Sequence, residues 1–529
     1  MNKARFTFEY SRVRRFIFIA LTLLFFLLPH PAFGESLFNE SHKNRLFVCI
    51  PSQVVSLDPT DYRGRDTQIV IKNIFDSLTA RDPNMKVVPQ LAEAWRALND
   101  TLWELKIRQG VKFHNGDDLT SEDIEFTLER VAKESGIDGQ KTSPRKSLLG
   151  PISKVEAIDD YTVQIETKQP WPTLPLMLTL QEIIPKKYLL AVGSEGFKKA
   201  PIGTGPFRFV RLESENLILR RFEEYYGGAP ANPPVQKAPI EQLVFRTIPL
   251  LANRIAMLKK KECDIITHVS PEVLPILKLV PQIRVLSRPA TRSYFAELNV
   301  MKYPFSDLRI RQALNYGFDV QAYIDLFLKG HGTVLPTVLL PNAFAYHDTL
   351  KPYPYNPKLA KKLLHDAGYP DWYTITINSA EKYRQFANAL AVFLSKMGLH
   401  PSVNVMQKAD ARLSMTRLLG DILVTSWGNS TLDPAGIIMP KFKSTGRGNF
   451  SNYNNKEVDV LLSQAENTID LKKRENYYKR IQEIIYKDAP MIFGYAAEEF
   501  YGVREKIRNF QLSSSGMLNM HDVYIENGR

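Results

Sequence analysis

The sequence predicts an α/β fold divided among several domains, and three observations carry that reading. Segments of period-two hydrophobicity interleave with segments of helical period along the chain. The helical segments are bounded by capping residues and terminal glycines. The 529 residues, 44% hydrophobic and 24% charged, have an ordinary globular composition and length enough for about three domains. No low-complexity linker or internal repeat separates them. Pro and Gly clusters at 201–206, 227–234 and 352–357 read as joints, so the domains are expected to cross over one another more than once.

In chain order, residues 1–15 are basic, and Phe16 to Leu28 is apolar but for Thr22. Pro29, Pro31 and the small-x-small site Ala32-Phe33-Gly34 follow. This is the three-part pattern of a cleavable export signal, assigned to residues 1–34. The apolar run is shorter than the roughly 20 residues that span a bilayer. Leu46 to Ile50 reads as a buried strand holding Cys49, and no small residue precedes that cysteine as a lipoprotein site would require. Trp103, Leu105 and Ile107 alternate as in a half-buried strand, and so do Tyr161, Val163 and Ile165. Thr120 with Asp123 predicts a capped helix whose Ile124, Leu128 and Val131 share one face. Cys263 precedes a second strand-like run, Asp264-Ile265-Ile266. Export permits a disulfide, but the expectation is two separately buried thiols. Ser306 opens a helix ending at Gly317. Asn356-Pro357 opens another, with Leu359, Leu363 and Leu364 inward and Gly368 as its stop. Asn455 opens a fourth, with Val458, Leu461 and Leu462 inward.

The chemistry that would mark an enzyme is not legible. There is no Gly-x-Ser-x-Gly, no His-Glu-x-x-His and no P-loop, and the Ser143–Lys146 match to Ser-x-x-Lys has no companion motif. The nine histidines make no close pair of metal-ligand spacing, and His114 reads as a turn residue. No catalytic residue, metal site or cofactor is expected. A net charge of +13 raises the question of nucleic acid, but Lys and Arg are scattered apart from Lys259-Lys260-Lys261. A solvated basic face that favours anionic surfaces or ligands is the expectation.

Several segments, in order, resemble one family. They include Leu57-Asp58-Pro59, Pro89-Gln90-Leu91-Ala92-Glu93-Ala94-Trp95, and Trp103-Glu104-Leu105-Lys106-Ile107-Arg108-Gln109-Gly110-Val111-Lys112-Phe113-His114-Asn115-Gly116. Gly203-Thr204-Gly205-Pro206-Phe207, Arg309-Ile310-Arg311-Gln312-Ala313-Leu314 and Ala360-Lys361-Lys362-Leu363-Leu364-His365-Asp366-Ala367-Gly368-Tyr369 follow. Together they resemble the extracellular solute-binding proteins of ABC importers, family 5, the peptide/nickel-binding class. The resemblance implies a two-lobed periplasmic-binding-protein fold of the large three-domain type, with a hinged cleft between the lobes. Domain I would comprise 35–80, 200–298 and 497–529, domain II 81–199, and domain III 299–496.

The resemblance also implies a function. A peptide or other medium-sized solute would be captured between the lobes, shift an open–closed equilibrium and be delivered to an inner-membrane ABC permease. The protein would be a periplasmic monomer without lipid anchor or nucleic-acid partner. Opines, sugar conjugates and haem-like solutes are alternatives, and so, from other classes, are an exported peptide or cell-wall hydrolase and a sensor. In peptide-binding members the stretch matching Ser426–Pro434 reads Trp, two small residues, then an Asp that pairs with the peptide amine. Counting from Trp427 puts Ser430 there, so the amine anchor is missing and Asp433 falls in the following turn. The site residues expected on this footing are Trp427, Gly428, Asn429 and Ser430 on one wall and Gln53, Val54 and Val55 opposite. Arg292 and Tyr294 are expected where the chain crosses between lobes, with Arg292 a candidate for a bidentate carboxylate or phosphate contact. No histidine lies between Trp427 and Arg447, which argues against nickel.

Overall fold

The computed structural model describes residues 44–526 apart from 63, 83–84, 229–236 and 514. The segment read as an export signal lies outside the described residues.

Five elements position the site. They are strand β1 (Arg45–Ile50), helix α1 (Arg65–Ile74), the long strand β2 (Ile283–Leu298), strand β3 (Ile422–Gly428) and the long strand β4 (Met491–Arg504). All four strands belong to one 11-stranded sheet. Its order runs His400–Val405, Thr374–Ser379, β3, β2, β4, Ile265–Val269, β1, Gln242–Thr247, Asn216–Arg221, Phe207–Glu213, with Gly332–Val334 added beside β4. The sheet is mixed: β1 runs parallel to Ile265–Val269, whereas β2, β3 and β4 pair antiparallel. One end is covered by a core built from Leu46, Val48, Ile71, Phe75, Phe245 and Tyr501. The other end is covered by two cores around Ile310, Phe318, Phe386 and Ile492, and around Phe442, Tyr478, Ile485 and Phe493. β2 and β4 are the strands that run through both ends. Their ladder breaks register between Pro289 and Ser293, between the two ends. A break in the ladder bends a strand and loosens it locally, which is the mechanical requirement of a hinge.

A second, four-stranded antiparallel sheet (Ala92–Ala97, Leu102–Ile107, Thr162–Thr167, Ile152–Asp159) has its own core. Trp103, Leu105 and Ile107 are buried while Lys106 is exposed, and Val163 and Ile165 are buried, as the alternation predicts. Helix Ser121–Ala132 packs on this sheet through Ile124, Leu128 and Val131, and Asp123 accepts from Thr120 N at 3.0 Å. Asn356 Oδ1 accepts from Leu359 N at 3.0 Å, and Gly368 ends that helix at φ +65°. Asn455 accepts from Glu457 N at 2.9 Å. One cap differs. Helix Leu308–Gly317 is capped by Asp307, not Ser306, and its carboxylate accepts from Arg309 N at 2.8 Å; an ionised acceptor binds orphan helix donors more strongly than a hydroxyl does.

The cysteine expectation is corrected. Cys49 and Cys263 form a disulfide across 214 residues, with Cα atoms 6.3 Å apart. The cause is the parallel pairing of β1 with Ile265–Val269, which sets Val48 opposite Ile265. Neighbouring strands thereby bring the two sulfurs together. His114 is also more than a turn residue. Its Nε2 bonds Gly205 O at 2.9 Å and Nδ1 accepts from Gly203 N at 3.3 Å. This satisfied neutral ring clamps the Gly203–Gly205 loop, and burial pushes its pKa down to about 4.

Just after α1, Asp76 is buried beside Gln90 Nε2 (2.6 Å) and Thr204 Oγ1 (3.2 Å). Burial pushes its carboxyl up to about 7. Between its ordinary range near about 4 and that value, the folded state keeps a proton that the unfolded chain has released. Its contribution to stability therefore falls as pH rises through this window. His114 titrates with the opposite sign, so the wild-type curve alone does not isolate Asp76. The stability of wild type minus that of Asp76→Asn is expected to drop by up to about 1.4 kcal/mol per pH unit between pH ~4 and ~7. Urea unfolding of both proteins at a series of pH values checks this, and a constant difference would refute it.

Candidate functional site

The chain folds around a cavity of about 430 Å³ whose walls come from both ends of the large sheet. Helix α1 supplies Arg65, Gln68 and Lys72, and its N-cap Gly64 lies beside them. The hairpin Thr79–Arg81/Val87–Pro89 adds Arg81, and Gln90 follows it. Arg145 and Thr179 extend this wall. Across the cavity, Thr291 and Arg292 come from the irregular part of β2, Gly428 ends β3, and Ser430 follows it. The irregular ladder is therefore also the floor of the site. Arg81 links the walls directly, donating from Nη1 to Ser430 O at 2.7 Å.

The charged groups here are mostly held by carboxylates behind the wall. Arg65 forms a fork with Glu499 (2.5 and 2.6 Å), and Glu499 also receives Arg288. Burial would raise the Glu499 carboxyl, but the two guanidiniums outweigh it and hold it below the usual range. Lys72 pairs with Glu182 at 2.8 Å and donates to Thr179 O at 2.7 Å. Arg145, 2% exposed, pairs with the same Glu182 and donates to Leu180 O at 2.5 Å. Burial opposes ionisation of Glu182, yet Arg145 and Lys72 keep its pKa low. Arg81 and Arg292 differ, because their bonds go to neutral oxygens. Arg81 reaches Ser430 O and Thr179 Oγ1, and Arg292 donates to Ser426 Oγ at 3.0 Å. Burial pulls the Arg81 guanidinium down to about 10, against the opposing field of Asp433. Gly428 lets the Arg292 guanidinium lie close across the strand end: a Cβ there would stand 3.0 Å from Nη2.

Of the residues expected from sequence, Arg292, Gly428 and Ser430 line this cavity, and the others do not. Gln53 and Val55 are exposed on the stretch after β1, with Val55 64% exposed, and Val54 packs against the core beside β1. Tyr294 stacks on Tyr495 with ring centroids 4.8 Å apart and faces the neighbouring core. Asn429 is buried and ties its own turn together, donating from Nδ2 to Asp433 O and accepting from Thr431 Oγ1. Trp427 donates from its indole to Gly436 O at 2.8 Å, and it packs against a core with Lys441 and Arg447 over its ring. β3 alternates faces, so Trp427 and Gly428 point opposite ways. We therefore expect Trp427→Ala to cost about 3 kcal/mol of stability while leaving solute affinity unchanged; denaturant unfolding and calorimetric titration of the same preparation separate the two effects.

Asp433 is committed elsewhere. It caps the turn at Pro434–Gly436 and accepts a fork from Arg474, both bonds 2.7 Å. The Ser143–Lys146 match holds no nucleophile–base pair: Ser143 donates to Thr60 O and Lys146 pairs with Glu134. Among the described residues no cluster of His, Cys, Asp or Glu is arranged to hold a metal ion, and no helix is long and apolar enough to cross a membrane. Sequence reasoning missed Arg65, Gln68, Lys72, Arg81 and Arg145. They lie far apart in the chain, and only the fold makes them converge.

Residues 86–449 match the model of the bacterial extracellular solute-binding proteins, family 5. The glutathione-binding protein GsiB of Escherichia coli K12 is 28% identical over 466 residues, covering 84% of this chain and 87% of that protein. HbpA2 from Haemophilus parasuis superimposes with a TM-score of 0.84 at 25% identity, over 92% of this chain and all of that one. The Bacillus subtilis oligopeptide-binding protein AppA, solved with a nonapeptide, gives 0.74 at 22% over 92% of this chain and 100% of its own, which shows the shared fold. The two ends of the sheet are thus the lobes of a periplasmic-binding-protein fold, and the chain belongs to the bacterial extracellular solute-binding proteins, family 5.

Proposed function

We propose that the cavity between the lobes captures a peptide or peptide-like solute for an ABC importer, and that the closed form hands it to an inner-membrane permease. One observation carries this reading. A single cavity of about 430 Å³ takes its walls from both lobes at the point where the connecting strands lose register, so an occupant would touch both lobes and bias closure. A relative that binds glutathione, a tripeptide, favours a short peptide. The proposal assigns 35–80, 200–298 and 497–529 to domain I, 81–199 to domain II and 299–496 to domain III. Export through a cleavable signal, a periplasmic location, monomeric action and release of the solute unchanged complete the proposal. Native mass spectrometry of the purified mature protein, followed by denaturation, tests it. Short peptides released intact are the expected result, and adding them back should lower the radius of gyration in solution scattering. A solute recovered only as cleaved fragments, or no closure with any released solute, would contradict it.

A further inference from the structure

The charge of the wall says more about the occupant than its volume does. The cavity is lined by Arg65, Lys72, Arg81, Arg145 and Arg292, and by no Asp or Glu. Three of these cations converge on one short segment: Arg81 Nη2 and Lys72 Nζ both bond Thr179, and Arg145 Nη1 bonds Leu180 O. Arg292, on the crossing strand β2, lines the same cavity, as does Ser430, whose carbonyl Arg81 holds. Behind the wall, Glu182 and Glu499 balance part of this charge, and Arg81 and Arg292 have neutral partners.

A second, independent observation is the pattern of unpaired atoms. Arg65 Nε, Gln68 Nε2, Arg81 Nε and Arg145 Nη2 are buried in the lining residues without a hydrogen-bond partner. All four are donors, and no side-chain acceptor among the lining residues is left so. Buried donors need acceptors, and an ionised oxygen is the strongest one. The same sign continues from Arg292 to Arg412 and Lys382, which lie near Lys408 and, after burial, lower its pKa. The nearest acid past Ser430, Asp433, is taken by Arg474.

We infer that the solute carries at least two anionic groups, carboxylate or phosphate, and is held through them by Arg81, Arg145 and Arg292, with no protein carboxylate binding an ammonium. This rests on the reading of the cavity as the solute site and specifies which solutes that site selects.

Calorimetric titration of the mature protein, freed of solute by unfolding and refolding, tests the inference with five probes. Ala-Ala-Ala is a zwitterion, Ala-Lys-Ala a net cation, and N-acetyl-Ala-Glu carries two carboxylates and no ammonium. Citrate and fructose 1,6-bisphosphate are non-peptide anions with more than one anionic group that separate carboxylate from phosphate recognition. N-acetyl-Ala-Glu is expected to bind at least about tenfold more tightly than Ala-Ala-Ala, with affinity falling as salt rises. Arg292→Gln, at an exposed position that the fold tolerates, should remove most of that preference. Equal or tighter binding of Ala-Ala-Ala or Ala-Lys-Ala would overturn the charge inference and leave the peptide reading intact. Binding of citrate or fructose 1,6-bisphosphate without any peptide would keep the charge inference and remove the peptide reading. Binding of none of the anionic probes would overturn the inference.

Discussion

Arg474→Ala is expected to destabilise the protein by about 3–5 kcal/mol, the cost of leaving one partner of a buried ion pair uncompensated. The Arg474 guanidinium and the Asp433 carboxylate are 2% and 4% exposed and meet through two 2.7 Å bonds. Burial opposes the charge on Arg474, but Asp433 more than offsets it and raises the guanidinium pKa. The pair fastens the turn that carries Ser430 to the long helix Leu471–Asp488. Removing both charges at once, as in Asp433→Asn with Arg474→Met, should cost much less than either single change. Solute affinity of the folded single variant should stay within reach of wild type, because neither group lines the cavity. Chemical denaturation of Arg474→Ala, Asp433→Asn and the double variant measures this. Loss of solute binding in Asp433→Asn with unchanged stability would instead make Asp433 the missing amine anchor.

The second large effect belongs to the cavity. Arg292→Glu is expected to weaken solute binding about 100-fold, near 3 kcal/mol, with little change in melting temperature. The side chain is exposed, and its one bond, to Ser426 Oγ, is short-range and neutral. Reversing its charge places a carboxylate opposite any anionic group held by Arg81 and Arg145. Gly428→Ala should act in the same direction and more weakly, since the guanidinium has to give way to the new Cβ. Titration with the solute released from wild type reads both. An unchanged affinity in Arg292→Glu would place the solute elsewhere.

What the sequence made legible was local. The alternation at Trp103–Ile107 and the caps at Thr120, Asn356 and Asn455 depend on neighbours within one turn or strand, and the structure places them as the pattern implies. The Cys49–Cys263 bond depends on two strands 214 residues apart lying side by side, and no local signal encodes that. The same limit governs the site. Arg292, Gly428 and Ser430 sit near a recognisable tryptophan segment, whereas Arg81 and Arg145 are isolated arginines in unremarkable surroundings. Their role appears only when the inserted sheet and α1 fold against the crossing strands. Trp427 shows the converse: a residue conspicuous in a motif is expected at the cavity wall, but the pleat turns its ring to the core and presents Gly428 to the cavity. Gln53–Val55 follow the first strand as expected and reach α1, where Val55 N bonds Thr67 Oγ1 at 3.2 Å, yet none of the three lines the cavity.

The most direct test of the central claim compares wild type with the Arg81→Gln/Arg292→Gln double variant by native mass spectrometry, at matched expression and with melting temperature recorded. Wild type should carry a short solute rich in carboxylate or phosphate, and the folded double variant should emerge without it. The same solute load on both proteins would contradict the account, because the cationic cavity between the lobes would then not be what holds it.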